Sequence, residues 1–280
     1  MLYLGVDGGG SGCRAAVTDA EGRRLGEGAG ASANIWTDPE GARASILAAA
    51  EAALAGTGAG LGEVTAVLGL AGANVAGAAE RLAPGLPFAR VRIESDAVVA
   101  LKGALGDEDG ISAAIGTGSV FGAQRGGRVA MIGGWGFQLG DHGSGAVMGR
   151  ALCAAALLAH DGEVARTPLL ARVVAERGGP AGLVAWGKGA APADFARLVP
   201  GLLAAADEGD PAAEAVLAGA AEAVARAIDR LMAEGPVPVA FLGGLGPLFA
   251  GRLAARYPGL LRAPKGSGLD GALMLARRLG

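Results

Sequence analysis

One arrangement occurs twice in this chain: an apolar run of strand length, a loop of glycines and a hydroxyl residue, a second apolar run, a polar turn, and a third short run. The first copy reads Leu2 to Val6, Asp7 to Ser11, Arg14 to Thr18, the turn Asp19 to Gly22, and Arg23 to Gly26. The second reads Ile111 to Ile115, Gly116 to Ser119, Val120 to Ala123, the turn Arg125 to Gly127, and Val129 to Ile132. Three strands joined by tight turns bury nothing alone and need helices or further strands on one face. The two copies lie about one domain length apart, so the repeat predicts two α/β domains. Their further parts follow from pattern: a helix over 40–54, buried strands at Val64 to Leu70 and Val91 to Glu94, and a helix from Ser95 and Asp96 to Leu105. After the second copy come a glycine-rich loop, Gly133 to Gly145, and mostly helices. The clearest helix has Asp210 as N-cap, Pro211 in its first turn, Leu217, Ala220, Val224, Ile228 and Leu231 on one face, and Gly235 beyond its end. A strand at Val237 to Leu242, the loop Gly243 to Pro247 and a helix over 269–279 close the chain. The division is expected at Gly106 to Gly110. It gives domains 1–106 and 107–280, with the terminal helix 269–280 as a candidate to pack back on the first.

Composition narrows the class. Of the 280 residues, 51% are hydrophobic and 18% charged, with a net charge of −3, which describes a folded protein with no attraction for polyanions. No stretch has the form of a signal peptide, because the first strand begins at Leu2, so the expectation is a cytoplasmic protein. Cys13 and Cys153 are too few for a disulfide framework or a four-ligand metal site and read as small, reduced, buried side chains.

With 52 glycines in the chain, no single glycine motif carries weight, and only an ordered set can. The segment Gly10 to Ala15 fits the dinucleotide pattern G-x-G-x-x-A in form. That fingerprint must open a helix, and here a strand follows. A Walker loop is excluded because no G-K-[ST] occurs. The third reading is a β-hairpin phosphate loop, in which Gly9 and Gly10 let backbone N–H groups approach phosphate oxygens, Ser11 adds a hydroxyl and Asp7 holds a metal-bound water. An unliganded glycine hairpin fits that loop equally well. The second loop, with Gly116, Thr117, Gly118 and Ser119, favours the phosphate reading, since two such loops clamp a triphosphate from two domains. Gly243, Gly244 and Gly246, between a buried strand and a helix, suit close approach to a flat adenosine.

This ordered set, DGGGS, GTGS and GGLGP, resembles the two phosphate motifs and the adenosine motif of the sugar kinase, Hsp70 and actin superfamily. Within it the chain resembles the N-acetylglucosamine kinase branch of the BadF/BadG/BcrA/BcrD ATPase family, through ASANIW at 31–36, ESDA at 94–97, GGWGFQLGDHGSG at 133–145 and the ending GSGLDGALMLA. The resemblance implies two ribonuclease H-like α/β domains with an ATP cleft between them, Mg²⁺ held by Asp7 through water, and a homodimer. It also implies an ATP-dependent kinase acting on the 6-hydroxyl of N-acetylglucosamine, with glucosamine as the close alternative. A dehydratase-activator ATPase would need paired cysteines at a cluster, which Cys13 and Cys153 do not offer. A sugar- or nucleotide-sensing module is the non-catalytic alternative.

Asp96, between a strand and a helix, reads on pattern alone as an N-cap. The resemblance instead makes it the catalytic base that accepts the proton of the attacking sugar hydroxyl, a role worth about 10² to 10⁴ in rate. In the loop after Gly133, Trp135 offers a flat wall to a pyranose, glycine backbone reaches hydroxyls, and Asp141 can bind two of them; a glycine hinge around a buried Trp fits the same residues. By resemblance Asp141, the backbone around Gly134 and Trp135, and Asn34 contact the sugar. Asn34 alone reads as a loop residue capping its own backbone. His142 is ranked a bystander, and His160 a side chain at a helix C-terminus.

Overall fold

The protein is described by a computed structural model covering residues 1–10 and 12–280. Ser11, expected in the first phosphate loop, lies outside the described residues. The first copy of the repeat forms β1 (Leu2–Gly8), β2 (Cys13–Thr18) and β3 (Arg24–Gly30), and it is followed by α1 (Pro39–Leu54), β4 (Val64–Leu70), α2 (Ala78–Leu82), β5 (Arg90–Ser95) and α3 (Asp96–Leu105). The sheet order is β3-β2-β1-β4-β5, antiparallel within the hairpins and parallel from β1 through β4 to β5. The second copy forms β6 (Gly110–Ile115), β7 (Ser119–Arg125) and β8 (Arg128–Gly133), joined by β9 (Val239–Leu242) and β10 (Leu261–Arg262) in the order β10-β9-β6-β7-β8. Counted within each copy, both sheets have the order 3-2-1-4-5, so the duplication seen in the loops extends to the strand topology. Between β8 and β9 run α4 (Gly145–Asp161), α5 (Pro168–Ala175), α6 (Pro180–Gly189), α7 (Pro192–Ala196), α8 (Val199–Asp207) and α9 (Pro211–Leu231). Helices α10 (Gly246–Leu253) and α11 (Gly268–Leu279) follow β9 and β10.

Two compact units result, one of Met1–Ser112, Gly122–Val129 and Arg262–Gly280, the other of Ala113–Phe121 and Ala130–Leu261. In the first, the two-residue period of β1 sorts its side chains. Leu4 and Val6 join Ala15, Val17, Ile46, Ala49 and Leu68 in a core under α1, whereas Tyr3 packs with Val99, Ala272 and Leu275 of α3 and α11. Asp7, on the same strand face as Tyr3, is thereby carried toward the N-terminal ends of those two helices.

Strand β3 runs four residues past the expected Gly26. Its sequence, RLGEGAG, has no apolar alternation because the face toward α1 is glycine. A Cβ at Gly26, Gly28 or Gly30 would lie 2.2, 2.1 or 2.5 Å from the carbonyl oxygens of Ala53, Ala49 and Ser45. Helix α9 has Asp210 as its cap, accepting from the N–H groups of Ala212 and Ala213, with the expected apolar face buried.

The same glycine-to-alanine exchange should change stability in opposite directions at two helical sites. A Cβ at Gly271 would lie 2.0 Å from the Val99 carbonyl oxygen and 2.5 Å from the Gly103 nitrogen, both backbone atoms. Gly271→Ala should therefore destabilise by about 1–3 kcal/mol. At Gly219, inside α9, a Cβ meets nothing within 4 Å, and Gly219→Ala should stabilise by about 0.5–1 kcal/mol. Thermal denaturation of the two variants checks both signs.

Candidate active site

In the first unit the hairpin between β1 and β2 is held from both sides. The N–H groups of Ala33 and Ala71 donate to the carbonyls of Gly9 and Gly8, and the N–H of Gly9 donates across the turn to Gly12. Around Gly10 nothing lies within 4 Å of where a Cβ would stand, so this backbone is open to a ligand. Asp7 closes β1, and its antiparallel partner in register is Arg14. The Arg14 Nη2 donates to Asp7 Oδ2 at 2.7 Å, with the arginine largely exposed and the aspartate largely covered. A Cβ at Gly268, the first residue of α11, would lie 3.1 Å from the Asp7 carboxyl carbon, which places the carboxylate against that helix N-terminus.

Asp96 stands at the N-terminus of α3, where Ser95 is the cap and accepts from the N–H of Val98. Asp96 is thus the first helical residue rather than the N-cap. Through β4, Asp7 pairs with Gly69 and Gly69 with Glu94, so Asp96, two residues past Glu94, stands at the same end of the sheet as Asp7, with β4 between their strands and roughly 10 Å from β1 to β5. Burial pushes the Asp96 carboxyl above its ordinary pKa; the Ala97 N–H works against this and the charge of Asp7 adds to it. A half-buried carboxylate of raised basicity at a helix N-terminus is suited to accepting a proton. Asn34 turns its Oδ1 to the N–H groups of Trp36 and Thr37 at 3.0 and 3.2 Å, so what it can present to a ligand is its amide N–H₂. The Cys13 thiol, pushed up to about 11 by burial and then by Asp7, stays protonated.

In the second unit the loop after β6 is stitched to α4. The N–H groups of Gly145 and Ala146 donate to the carbonyls of Gly116 and Thr117, and Ser119 Oγ donates to the His142 carbonyl. Gly116 faces open space and Thr117 is exposed. The loop after β9 rests on the same strand end: Leu245 N–H donates to the Ile115 carbonyl, and a Cβ at Gly243 (φ 79°) would stand 2.3 Å from that oxygen. Gly244 beside it is open, whereas Gly246, first in α10, is buried.

The loop from Gly133 to Asp141 turns on glycines at positive φ, Gly133, Gly134 and Gly136. It leaves Trp135 75% and Leu139 88% exposed, so Trp135 is no buried hinge residue. Asp141 is, among the described residues, the one non-glycine residue with positive φ, at 56°, a backbone state that costs about 1–2 kcal/mol. Its carboxylate lies against the second phosphate-type loop, since a Cβ at Gly118 would stand 2.8 Å from its Oδ2. Burial raises its pKa, against hydrogen bonds from the backbone of Ser119 and Gly136 and the nearby His142. His142 itself is exposed and lines an apolar cavity of about 650 Å³ with Val147, Ala151, Val216 and Ala223.

The structure therefore brings Asp7, Gly9, Gly10, Asn34 and Asp96 to one end of the first sheet. In the other unit it brings together Gly116, Thr117, Gly118, Gly134, Trp135 and Asp141, with Gly243, Gly244 and Gly246 beside the same strand end. Arg14 was missed by sequence reasoning; its signal is the hairpin register, which sets it opposite Asp7. Among the described residues no three His, Cys, Asp or Glu side chains cluster as a metal cage would. Asp7, a single hard carboxylate beside an open glycine hairpin, suits Mg²⁺, which keeps most of its waters and shares phosphate oxygens.

A sequence model of the BadF/BadG/BcrA/BcrD ATPase family matches residues 4–246. The glucosamine kinase GspK of Vibrio cholerae is 32% identical over 98% of this chain and 95% of its own. A candidate N-acetylglucosamine kinase from Chromobacterium violaceum, known from a crystal structure, is 34% identical with a TM-score of 0.86 and 98% coverage of both chains. A ROK family glucokinase from Streptomyces griseus, solved with glucose and AMPPNP, shares the fold at a TM-score of 0.57 and 20% identity, covering 100% of this chain and 99% of its own.

Proposed function

The chain belongs to the BadF/BadG/BcrA/BcrD ATPase family, and we propose that it is an ATP-dependent amino-sugar kinase that phosphorylates the 6-hydroxyl of N-acetylglucosamine. The observation that carries this reading is Asp96, a half-buried carboxylate of raised basicity beside the Asp7 hairpin, on a chain whose relatives include amino-sugar kinases. Magnesium-bound ATP supplies the phosphoryl group to be transferred. Backbone N–H groups of Gly10 and Gly118 and the Thr117 hydroxyl would bind phosphate oxygens, with Gly9 and Gly116, whose own N–H groups close the two turns, shaping the loops; Asp7 would hold the magnesium through water, and Gly243, Gly244 and Gly246 would receive the adenosine. Arg14 orients the Asp7 carboxylate through its hydrogen bond to Oδ2. Gly134, Trp135, Asp141 and Asn34 hold the sugar, with Asp141 fixed by the backbone of Ser119 and Gly136. Asp96 accepts the proton of the attacking hydroxyl, and its low solvation makes it a stronger base than a free aspartate. The same reading includes a cytoplasmic homodimer. Glucosamine is the second reading, favoured by the likeness to GspK.

Coupled ATP consumption with N-acetylglucosamine, glucosamine, glucose and N-acetylmannosamine should give the highest kcat/KM for N-acetylglucosamine. A higher value for glucosamine would select the second reading, and sugar-independent turnover would overturn both. Asp96→Asn should lower kcat by about 10² or more with little change in KM. Because the Asp96 pKa is raised in the folded protein, the wild-type carboxylate favours the fold at low pH and loses that advantage as pH rises. At pH 7 the Asn variant should therefore melt no earlier than wild type. The acidic limb of kcat/KM, where the base becomes protonated, should fall above the ordinary aspartate value of about 4; a limb at or below it would count against Asp96 as the base. Gly116→Ala and Gly244→Ala, whose methyl groups point into open space, should leave the melting temperature nearly unchanged while weakening ATP binding, measured by calorimetry, by about ten-fold.

A further inference from the structure

The loop that presents Trp135 and Asp141 is anchored at one point between them. The ring of Phe137 is half-buried, with its centroid 5.3 Å from that of Phe195 on α7 and the Arg150 guanidinium 4.7 Å over its face. Arg150 Nη1 also donates to the Phe137 carbonyl at 3.3 Å, so one arginine engages both the side chain and the backbone of the same residue. Phe195 is itself fixed. Trp186 of α6 meets it edge-on at 5.0 Å, and Arg177 covers Trp186 at 4.5 Å. Gly149 lets α4 lie against the backbone of Phe195, where a Cβ would stand 2.0 Å from its carbonyl oxygen. Both groups that grip Phe137 thus belong to one closely packed pair of helices, and α4 is also the helix tied to the Gly116 and Thr117 carbonyls.

We propose that Arg150 and Phe195 are positioning residues for the sugar: by gripping Phe137 they set the loop of Trp135 and Asp141 in register with the phosphate-type loop through α4. The proposal rests on the assignment of Gly133 to Asp141 as the sugar loop. Neither residue is assigned a contact with the sugar or the nucleotide. Between the grip and Asp141 the chain has only Gln138, Leu139 and Gly140. Leu139 is exposed and Gly140 N–H donates to the Gly136 carbonyl at 2.7 Å, so the turn is short and transmits a displacement of Phe137 directly.

Steady-state kinetics of the full chain test this. Arg150→Ala should raise the amino-sugar KM about 5- to 20-fold through loss of the cation–π contact and the hydrogen bond, with kcat and the ATP KM nearly unchanged. Arg150 is exposed, so its removal should leave the melting temperature close to wild type. Phe195→Leu should raise the same KM, and Arg150→Lys, which keeps a cation over the ring, should recover part of the loss. Trp135→Ala and Asp141→Asn serve as references. If they raise the sugar KM while Arg150→Ala and Phe195→Leu do not, the positioning role is overturned and the sugar-loop assignment stands. If Trp135→Ala and Asp141→Asn leave the sugar KM unchanged, that assignment fails and the proposal with it. A loss of stability in Arg150→Ala with unchanged KM would show a purely structural role and also overturn it.

Discussion

Backbone packed directly on backbone is the constraint on which this molecule depends. Glycine removes the side-chain layer between elements at Gly26, Gly28 and Gly30 against α1, at Gly5 where β1 meets α11, at Gly103 and Gly271 where α3 meets α11, and at Gly149 where α4 meets α7, among other places. Contacts that close leave no room to slide, because the neighbouring atoms are carbonyl oxygens and peptide nitrogens that no rotamer change can move aside. The groups of the candidate site inherit that rigidity. Asp96 and Gly268 lie at the ends of the glycine-crossed helices α3 and α11, and the grip on Phe137 comes from α4 and α7.

The electrostatics of the first unit follow from where those helices end. Asp7 and Asp96 each meet a helix N-terminus, an arrangement that favours negative charge by about 0.3–1 kcal/mol. For Asp96 that help does not prevail: burial and the charge of Asp7 raise its pKa. Asp7 has what Asp96 lacks, a guanidinium at 2.7 Å. Two carboxylates at one end of the sheet are thus given different characters, one paired with a cation and the other left basic, the separation that acid–base and metal-holding roles require.

The legible parts were those whose physics is local. Val64–Leu70 stands out because all seven of its residues are buried, and α9 because an aspartate cap and a first-turn proline mark its start. The order of glycine loops was legible because loop chemistry and strand ends are contiguous in the chain. What escaped depends on distant residues or on missing side chains. The outer half of β3 lacks apolar alternation because its buried face is glycine. The Arg14–Asp7 pair needs the hairpin register. The grip on Phe137 joins residues 137, 150 and 195, which no short window contains, and the Asn34 side chain is committed to its own backbone by a turn whose form no composition announces.

The duplicated strand order places chemically different residues at the ends of the two first strands. Where the first strand of the first copy carries Asp7 near its end, the first strand of the second copy ends in Ile115, 1% exposed, its carbonyl accepting from the Leu245 N–H beneath the Gly243 loop. A carboxylate at Ile115 would be sealed from water. The two strand ends thus differ in kind: one carries a charged post, the other a dry shelf for the loop that follows β9.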